Sequence, residues 1–119
     1  MNRSEVWLIN LDPTVGAEIR KTRPAVVVSI DAVGLLPLRV VVPLTEWKER
    51  YGLAPWMVRL DPDRDNGLEK PSAADTFQVR SLSVERFVRR LGTLQPRHIQ
   101  SLTNALAIVL GVTEHAGVA

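Results

Sequence analysis

The sequence predicts a mainly β (α+β) fold, a small antiparallel β-barrel or curled sheet with short helices and one C-terminal helix. About six short strand-like runs follow one another, and their connections are too short for the helical crossovers of a parallel sheet. After Pro96 the apolar residues instead recur at helical spacing. With 119 residues, 45% hydrophobic and 24% charged, the chain is expected to form one globular domain over residues 1–119.

The first predicted strand covers residues 5–11, where β-branched, aromatic and aliphatic residues occupy both faces. It stops at Asp12-Pro13, and residues 12–20 form a loop in which Gly16 can adopt a positive φ. The loop carries a cluster of charges and leads directly into the next strand. A charged loop that enters a buried strand can hold a side chain that is both fixed and accessible.

Two further strands follow in the first half of the chain. Pro24 opens the strand 25–30, at a position where its missing N–H is tolerated. Residues 36–45 alternate between apolar and other residues, which predicts a strand with one apolar face. Pro43 is expected to interrupt the hydrogen-bond ladder of this strand and to leave Thr45 at an open strand end.

The second half is predicted to contain three shorter strands and two helical elements. The strands cover residues 55–60, 76–80 and 90–94, and the charged segments 46–53 and 61–71 are loops. Ser83 can cap a helical turn over residues 84–87. The final helix begins at Pro96 and stops before Gly111. Its apolar stripe consists of Ile99, Leu102, Ala105, Leu106, Val109 and Leu110.

The residue types exclude several kinds of active site. The chain has no cysteine, and its two histidines, His98 and His115, lie far from the charged loops in sequence. Thiolate and Ser/His/Asp chemistry are therefore not expected, and a zinc site lacks its ligands. The acidic loop 61–67 lacks the glutamate that a calcium loop places six residues after its glycine. No metal or cofactor is predicted, and a site would consist of Arg, Thr, Glu and Gln.

Charge is unevenly distributed along the chain, although the net formal charge is only +2. Residues 80–97 contain five arginines and one acid, whereas residues 60–65 contain three aspartates. Such a stripe suits an anionic partner, and it is equally compatible with a solvated surface. The first five residues lack the apolar core of a signal peptide, and no apolar run reaches the length of a membrane span. A cytoplasmic location is expected.

Arg23 is the strongest local candidate for a functional residue, because it stands at the mouth of the strand that follows the charged loop. A guanidinium offers paired donors to phosphate oxygens, and RNA can be cleaved by its own 2′-hydroxyl if the phosphate is positioned and its charge stabilised. The local pattern alone leaves two interpretations open. Arg23 either meets a phosphate, or forms a structural ion pair with Glu5 or Glu18 in a solvated loop.

Several short motifs in a fixed order resemble the MazF/PemK family of toxin endoribonucleases from type II toxin–antitoxin systems. They are Glu5-Val6-Trp7, Leu11-Asp12-Pro13, Gly16-x-Glu18, the run 22–28, the run 42–45, and the segments 68–72, 78–82 and 91–94. The resemblance covers nearly the whole chain. One departure is Ser4, where the family usually has glycine before the first strand.

The resemblance implies a compact barrel of the CcdB/PemK type that forms a homodimer. It implies an enzyme that cuts single-stranded RNA at short sequence motifs without metal or cofactor, and leaves a 2′,3′-cyclic phosphate and a 5′-hydroxyl. It also implies a cognate antitoxin whose acidic, disordered segment folds into the basic groove. Operator DNA would be bound only through that antitoxin. The RNA motif does not carry over, because the loops that select it vary within the family.

By position, the resemblance implies that Arg23 and Thr45 are catalytic. The predicted substrate-binding residues are Glu18, Arg20, Gln78, Arg80 and Trp47, with Trp47 as a base-stacking candidate. For Glu18, orienting Arg23 or contacting RNA stands beside a plain offset of the positive charge on Arg20 and Lys21. Arginines 86, 89 and 90 are interpreted as a solvated face.

Two other functions remain possible from the sequence. The same barrel serves CcdB-like toxins that poison DNA gyrase without cutting RNA. Those toxins use the end of the C-terminal helix, and the tail 111–119 lacks their terminal tryptophan pattern. The third possibility is a module that binds RNA without cleaving it. The ends of the reaction products would separate it from the nuclease.

Overall fold

The computed structural model describes residues 1–33 and 35–112, and His115 lies outside the described residues. The described part contains seven antiparallel strands followed by one α-helix. They are β1 (Glu5–Asn10), β2 (Thr22–Val27), β3 (Leu38–Glu46), β4 (Met57–Leu60), β5 (Ser72–Asp75), β6 (Arg80–Ser83), β7 (Phe87–Thr93) and α1 (Pro96–Val109). The predicted α+β class, mainly antiparallel β with a C-terminal helix, is confirmed. No helix among these residues is long and apolar enough to cross a membrane.

The strands form one sheet in the order β4-β5-β3-β2-β1-β7, and β6 joins the edge of β3 that also carries β5. On that edge β6 pairs with residues 38–41 of β3 and β5 pairs with residues 44–46. The expected interruption at Pro43 therefore occurs on this edge, between the two pairings. On the opposite edge Pro43 pairs with Ala25 of β2. Thr45 is not at a fully open strand end, because it pairs with Ala73 of β5.

The centre of the sheet is buried on both faces. One apolar cluster contains Val26, Val42 and Leu102, and it joins the sheet to α1. The other contains Val27 and Val41 and lies on the opposite face. Burial of one such side chain stabilises the fold by about 1.5–3 kcal/mol. This double burial explains the β-branched run in β2 and corrects the expectation of a single apolar face for β3.

Helix α1 begins at Pro96, as predicted, with proline in its first turn. Gly111 follows the helix with a φ of +68°, a left-handed conformation that glycine adopts without steric cost. Leu102 and Ala105 are buried against the sheet. Leu110 is 65% exposed and does not belong to the apolar stripe, since it lies at the C-cap where the helix has already ended.

The segment 72–78 differs most from the sequence prediction. Residues 76–80 do not form one strand, because a single 3-10 turn, Thr76–Gln78, separates β5 from β6. The carboxylate of Asp75 accepts a hydrogen bond from the Phe77 amide at 3.1 Å and caps this turn. The predicted cap at Ser83 is confirmed, and its hydroxyl accepts from the Glu85 amide at 3.2 Å.

The sheet does not close into a barrel by strand pairing within the described residues, and β4 and β7 are its edges. The loop after β4 instead packs directly on β7. A Cβ on Gly67 would lie 2.1 Å from the Leu91 carbonyl oxygen, and a Cβ on Gly92 would lie 2.2 Å from the Asp65 carbonyl oxygen. The Thr93 amide donates to the same Asp65 oxygen at 2.8 Å. Two glycines therefore allow the backbones to touch.

Asn66 organises the same loop from inside. Its side chain is fully buried; the amide nitrogen donates to the Asp61 carbonyl and the amide oxygen accepts from the Leu68 amide, both at 2.9 Å. The carboxylate of Asp63 accepts hydrogen bonds from the backbone amides of Asp65 and Asn66. These bonds lower the pKa of Asp63. The predicted solvated turn is thus an internally bonded loop.

Candidate active site

Arg23 and Thr45 meet across the ends of two neighbouring strands. Strands β2 and β3 pair with Ala25 opposite Pro43, and two more residues in that register bring Arg23 opposite Thr45. The ladder itself ends before this point because Pro24 has no N–H to contribute. The Arg23 Nη1 donates to the Thr45 hydroxyl at 3.5 Å, the outer limit of a hydrogen bond. The two residues assigned by resemblance therefore share one place.

The orientation of Arg23 is set from the loop side. Its Nε donates to the carbonyl oxygen of Arg20 at 2.8 Å. Between them Lys21 has a φ of +75°, in the left-handed region that a lysine adopts only under tertiary constraint. With Nε engaged, the two Nη groups are the part of the guanidinium that remains available to a phosphate.

Neither candidate ion-pair partner of Arg23 is used in that way. Glu5 contacts the N-terminal ammonium at 3.4 Å and Arg90 at 3.7 Å. Burial would raise the pKa of Glu5, but hydrogen bonds from the Trp7 indole and the Asn2 amide, together with the terminal charge, lower it. The Glu18 carboxylate accepts from the Val15 amide at 2.7 Å within its own loop. The ion-pair interpretation of Arg23 therefore has no geometric support here.

A cavity of about 570 Å³ lies directly beside the pair. Five of its lining residues are cations from separate parts of the chain, namely Lys21, Arg23, Lys48, Lys70 and Arg89. Two acids, Glu46 and Glu69, also line it, and Glu46 lies 3.8 Å from Lys70. The excess of positive charge in one concave site favours a polyanion, such as a chain of phosphates.

The floor of the cavity is apolar and comes from one row across the sheet. Leu8 of β1 is paired with Pro24 of β2 on one side and with Arg89 of β7 on the other. Leu44, Leu68 and Leu91 complete the apolar lining. A rigid strand row thus fixes the wall against which a flexible ligand can lie.

None of the five predicted substrate-binding residues lines this cavity. Glu18 and the side chain of Arg20 are exposed on the β1–β2 loop. Gln78 bonds to the backbone of that loop at Ala17 and Ile19, and Arg80 bonds to it at Leu11. Their predicted contacts with RNA stay predictions.

Trp47 is half-buried just beyond the end of β3. The Arg59 guanidinium lies 5.3 Å from the centre of its ring, and Tyr51 packs against it edge-on at 6.0 Å. Arg59 therefore occupies one face of the ring. Base stacking on Trp47 stays a prediction.

Three cavity cations, Lys48, Lys70 and Arg89, had no assigned role in the sequence prediction. They come from the segment after β3, the loop after β4, and β7, which are far apart in the chain. Arg89 was interpreted as part of a solvated face. Its pairing with Leu8 places it beside the cavity, and only the strand register carries that information.

Comparisons with known proteins identify relatives of this chain. The family of PemK-like, MazF-like toxins of type II toxin–antitoxin systems matches residues 2–110. The chain is 34% identical over 116 residues to endoribonuclease MazF9 of Mycobacterium tuberculosis, covering 92% of this chain and 96% of the relative. It is 42% identical over 109 residues to endoribonuclease PemK of Escherichia coli, covering 89% and 82%.

A solved structure shares the fold. It is an endoribonuclease in complex with its cognate antitoxin from a Mycobacterial species, with a TM-score of 0.75 and 22% identity. The match covers 97% of this chain and 99% of that chain.

Proposed function

The chain belongs to the family of PemK-like, MazF-like toxins of type II toxin–antitoxin systems, and we propose on that premise that it is a sequence-specific endoribonuclease. Its substrate is single-stranded RNA, and its chemistry needs no metal. The observation that carries the proposal is the contact between Arg23 and Thr45 at the edge of a cationic cavity. The curated relatives named endoribonucleases support the same activity.

In the proposed reaction the 2′-hydroxyl oxygen of the RNA attacks the adjacent phosphorus. The bond from phosphorus to the 5′-oxygen breaks, which leaves a 2′,3′-cyclic phosphate and a 5′-hydroxyl. The 2′-hydroxyl gives up its proton to solvent, and the departing 5′-oxygen takes up a proton from solvent, so that the step is balanced. Arg23 stabilises the charge that develops on the phosphoryl oxygens, and Thr45 holds the scissile phosphate through its hydroxyl.

The other cations serve to place the strand. Lys48, Lys70 and Arg89 would hold neighbouring phosphates, because their positive charges line the same cavity as Arg23. Arg20 extends this positive surface from the loop, where its side chain is exposed. Sequence preference then comes from the exposed loops and not from the phosphate contacts, which carry no base information.

We also propose a cognate antitoxin whose acidic, disordered segment occupies the cavity and covers Arg23. The charge of the lining supports this partner, and the fold is shared with an endoribonuclease solved in complex with its cognate antitoxin. The same proposal includes a homodimer, which sedimentation of the purified protein tests. An acidic antitoxin peptide that failed to compete with RNA would contradict a shared groove.

The nuclease proposal is tested by incubating the purified protein with mixed RNA and EDTA. We expect cleavage with cyclic phosphate ends, and a loss of at least about 100-fold in Arg23→Ala, since one stabilising donor is commonly worth that much. The control is Arg97→Ala, an exposed arginine in the first turn of α1. Intact RNA, or equal rates in the parent and Arg23→Ala, refutes the mechanism. Intact RNA with trapped gyrase–DNA complexes supports the rival toxin class.

A further inference from the structure

The side-chain amide of Gln78 bonds to the loop between β1 and β2 at two backbone atoms. The ends of this loop are also joined by a bond from the Leu11 amide to the Lys21 carbonyl oxygen, and Arg80 bonds to the loop at Leu11. Gln78 accepts a hydrogen bond from the Ile19 amide through Oε1 at 3.0 Å. It also donates through Nε2 to the Ala17 carbonyl oxygen at 2.9 Å. Both ends of the side chain are therefore bonded to the backbone of the same loop, 59 to 61 residues earlier in the chain. The backbone of an irregular loop lacks the hydrogen-bond partners that a helix or sheet provides, and a side-chain amide can supply both a donor and an acceptor.

The clamped residues lead directly to the candidate catalytic arginine. Arg20 follows Ile19, and its carbonyl oxygen is the acceptor that fixes the Arg23 Nε at 2.8 Å. Arg23 has a second contact at its other end, the long bond from Nη1 to Thr45. If the loop shifted, the Arg20 carbonyl would move with it. The guanidinium of Arg23 would then rotate, and both of its Nη groups would change position.

Gln78 is itself fixed by the strand that supports Thr45. The carboxylate of Asp75 accepts from the amides of Phe77 and Gln78 and caps the turn Thr76–Gln78. Two residues before that cap, Ala73 pairs with Thr45. One segment, residues 72–78, therefore supports Thr45 through backbone pairing and the loop of Arg23 through a side chain.

We propose that Gln78 is a positioning residue, whose amide locks the β1–β2 loop so that the Arg20 carbonyl aims Arg23 at Thr45. Its Oε1 and Nε2 both bond to the loop, which leaves one N–H and one lone pair of the amide for any other contact. This role deepens the proposed function, and its effect on RNA cleavage rests on that function. Its effect on the orientation of Arg23 is independent of that function, because the orientation can be measured without any substrate.

The test compares Gln78→Ala and Gln78→Glu with the matched control Gln100→Ala. Gln100 is an exposed glutamine of α1 whose side-chain amide donates to Asn104 of the same helix. The first readout is solvent exchange of the Arg23 Nε–H by NMR. Loss of the clamp is expected to speed this exchange about fivefold or more, the equivalent of one net hydrogen bond. Gln78→Glu keeps the acceptor for Ile19 but loses the donor to Ala17, and should fall between the parent and Gln78→Ala.

The second readout is RNA cleavage. Gln78→Ala should lower kcat by about 10- to 100-fold, since displacing a catalytic group by an ångström costs that much. KM should stay within about twofold, because no phosphate contact is lost. In an Arg23→Lys background, which cannot use the Nε contact, Gln78→Ala should have little further effect.

Three results would overturn the assignment. The first is unchanged Arg23 Nε–H exchange in a folded Gln78→Ala. The second is a raised KM with unchanged kcat, which makes Gln78 an RNA contact. The third is an equal loss in Gln100→Ala. If Gln78→Ala does not fold, Gln78→Glu decides. If the parent protein cuts no RNA, the proposed function fails and the NMR measurement alone decides the role of Gln78.

Discussion

Replacing Thr45 with valine removes one hydroxyl from the candidate site and preserves the shape of the side chain. Thr45 lies in β3, half-buried and paired with Ala73. Valine is also β-branched and suits a strand, so the free energy of unfolding should change by less than about 0.5 kcal/mol. The substitution therefore separates the chemistry of the hydroxyl from the stability of the fold.

The size of the effect follows from what the hydroxyl contacts. In the free protein its bond with the Arg23 Nη1 is 3.5 Å long and contributes little. In the proposed complex with RNA, the hydroxyl would donate to a charged phosphate oxygen, an interaction of about 1.5–3 kcal/mol. Its loss from the transition state should reduce kcat/KM by about 10- to 150-fold.

The assay is cleavage of a defined oligonucleotide by Thr45→Val, with thermal unfolding measured in parallel. The control is Thr93→Val, because Thr93 lies at the end of β7, as Thr45 lies near the end of β3, and its hydroxyl also accepts from an arginine, Arg90. It lies outside the lining of the candidate cavity. If Thr45→Val retains kcat/KM within about twofold while folded, or Thr93→Val loses as much, the hydroxyl does not hold the phosphate.

Three further outcomes are expected. Gly92→Ala should lower the free energy of unfolding by about 2–4 kcal/mol, because the new Cβ would lie 2.2 Å from a backbone oxygen. Gly52→Ala is the control, since Gly52 has open surroundings, and it should cost less than about 1 kcal/mol. Chemical unfolding measures both. Lys48→Ala should flatten the salt dependence of RNA affinity, with the logarithmic slope falling by about 0.7 if the lysine contacts one phosphate; an unchanged slope would remove Lys48 from the binding surface.

Burial raises the pKa of Asp75, although hydrogen bonds from two backbone amides act in the opposite direction. Hydrogen bonds from backbone amides lower the pKa of Asp63. The contribution of Asp75 to stability is therefore present below its unfolded pKa and lost as pH rises through its folded pKa. The contribution of Asp63 is present above its unfolded pKa and lost as pH falls through its folded pKa. Titration of the two carboxyls by NMR in the order Asp63 before Asp75 is expected with rising pH, and the reverse order would contradict both assignments.

The elements that the sequence predicted well are those whose own residues determine them. The apolar run of β1 identifies it as a buried strand, and the helical spacing of the apolar stripe identifies α1. Pro96 and Gly111 mark the ends of that helix. Strand β5 was missed because Ser72–Asp75 contains no β-branched or aromatic residue. Its extended conformation comes from pairing with β3 and β4, which is a tertiary effect.

The site divides in the same way. Arg23 and Thr45 were identified by resemblance, and their approach follows from the β2–β3 register. The roles of Gln78 and Arg89 depend on contacts between distant segments, a loop clamp in one case and a strand pairing in the other. Local sequence contains neither contact, since each needs the folded sheet to bring the two segments together.

The close backbone contact between β7 and the loop after β4, which Gly67 and Gly92 allow, has a consequence for the cavity. On this side the sheet is fastened by the close approach at Gly67 and Gly92 and by the Thr93 bond to Asp65, without a strand ladder. Gly67 and Leu91 lie both at this contact and in the cavity wall. The position of the loop after β4 therefore sets the shape of the cavity on this side, and a side chain added at Gly67 would change both.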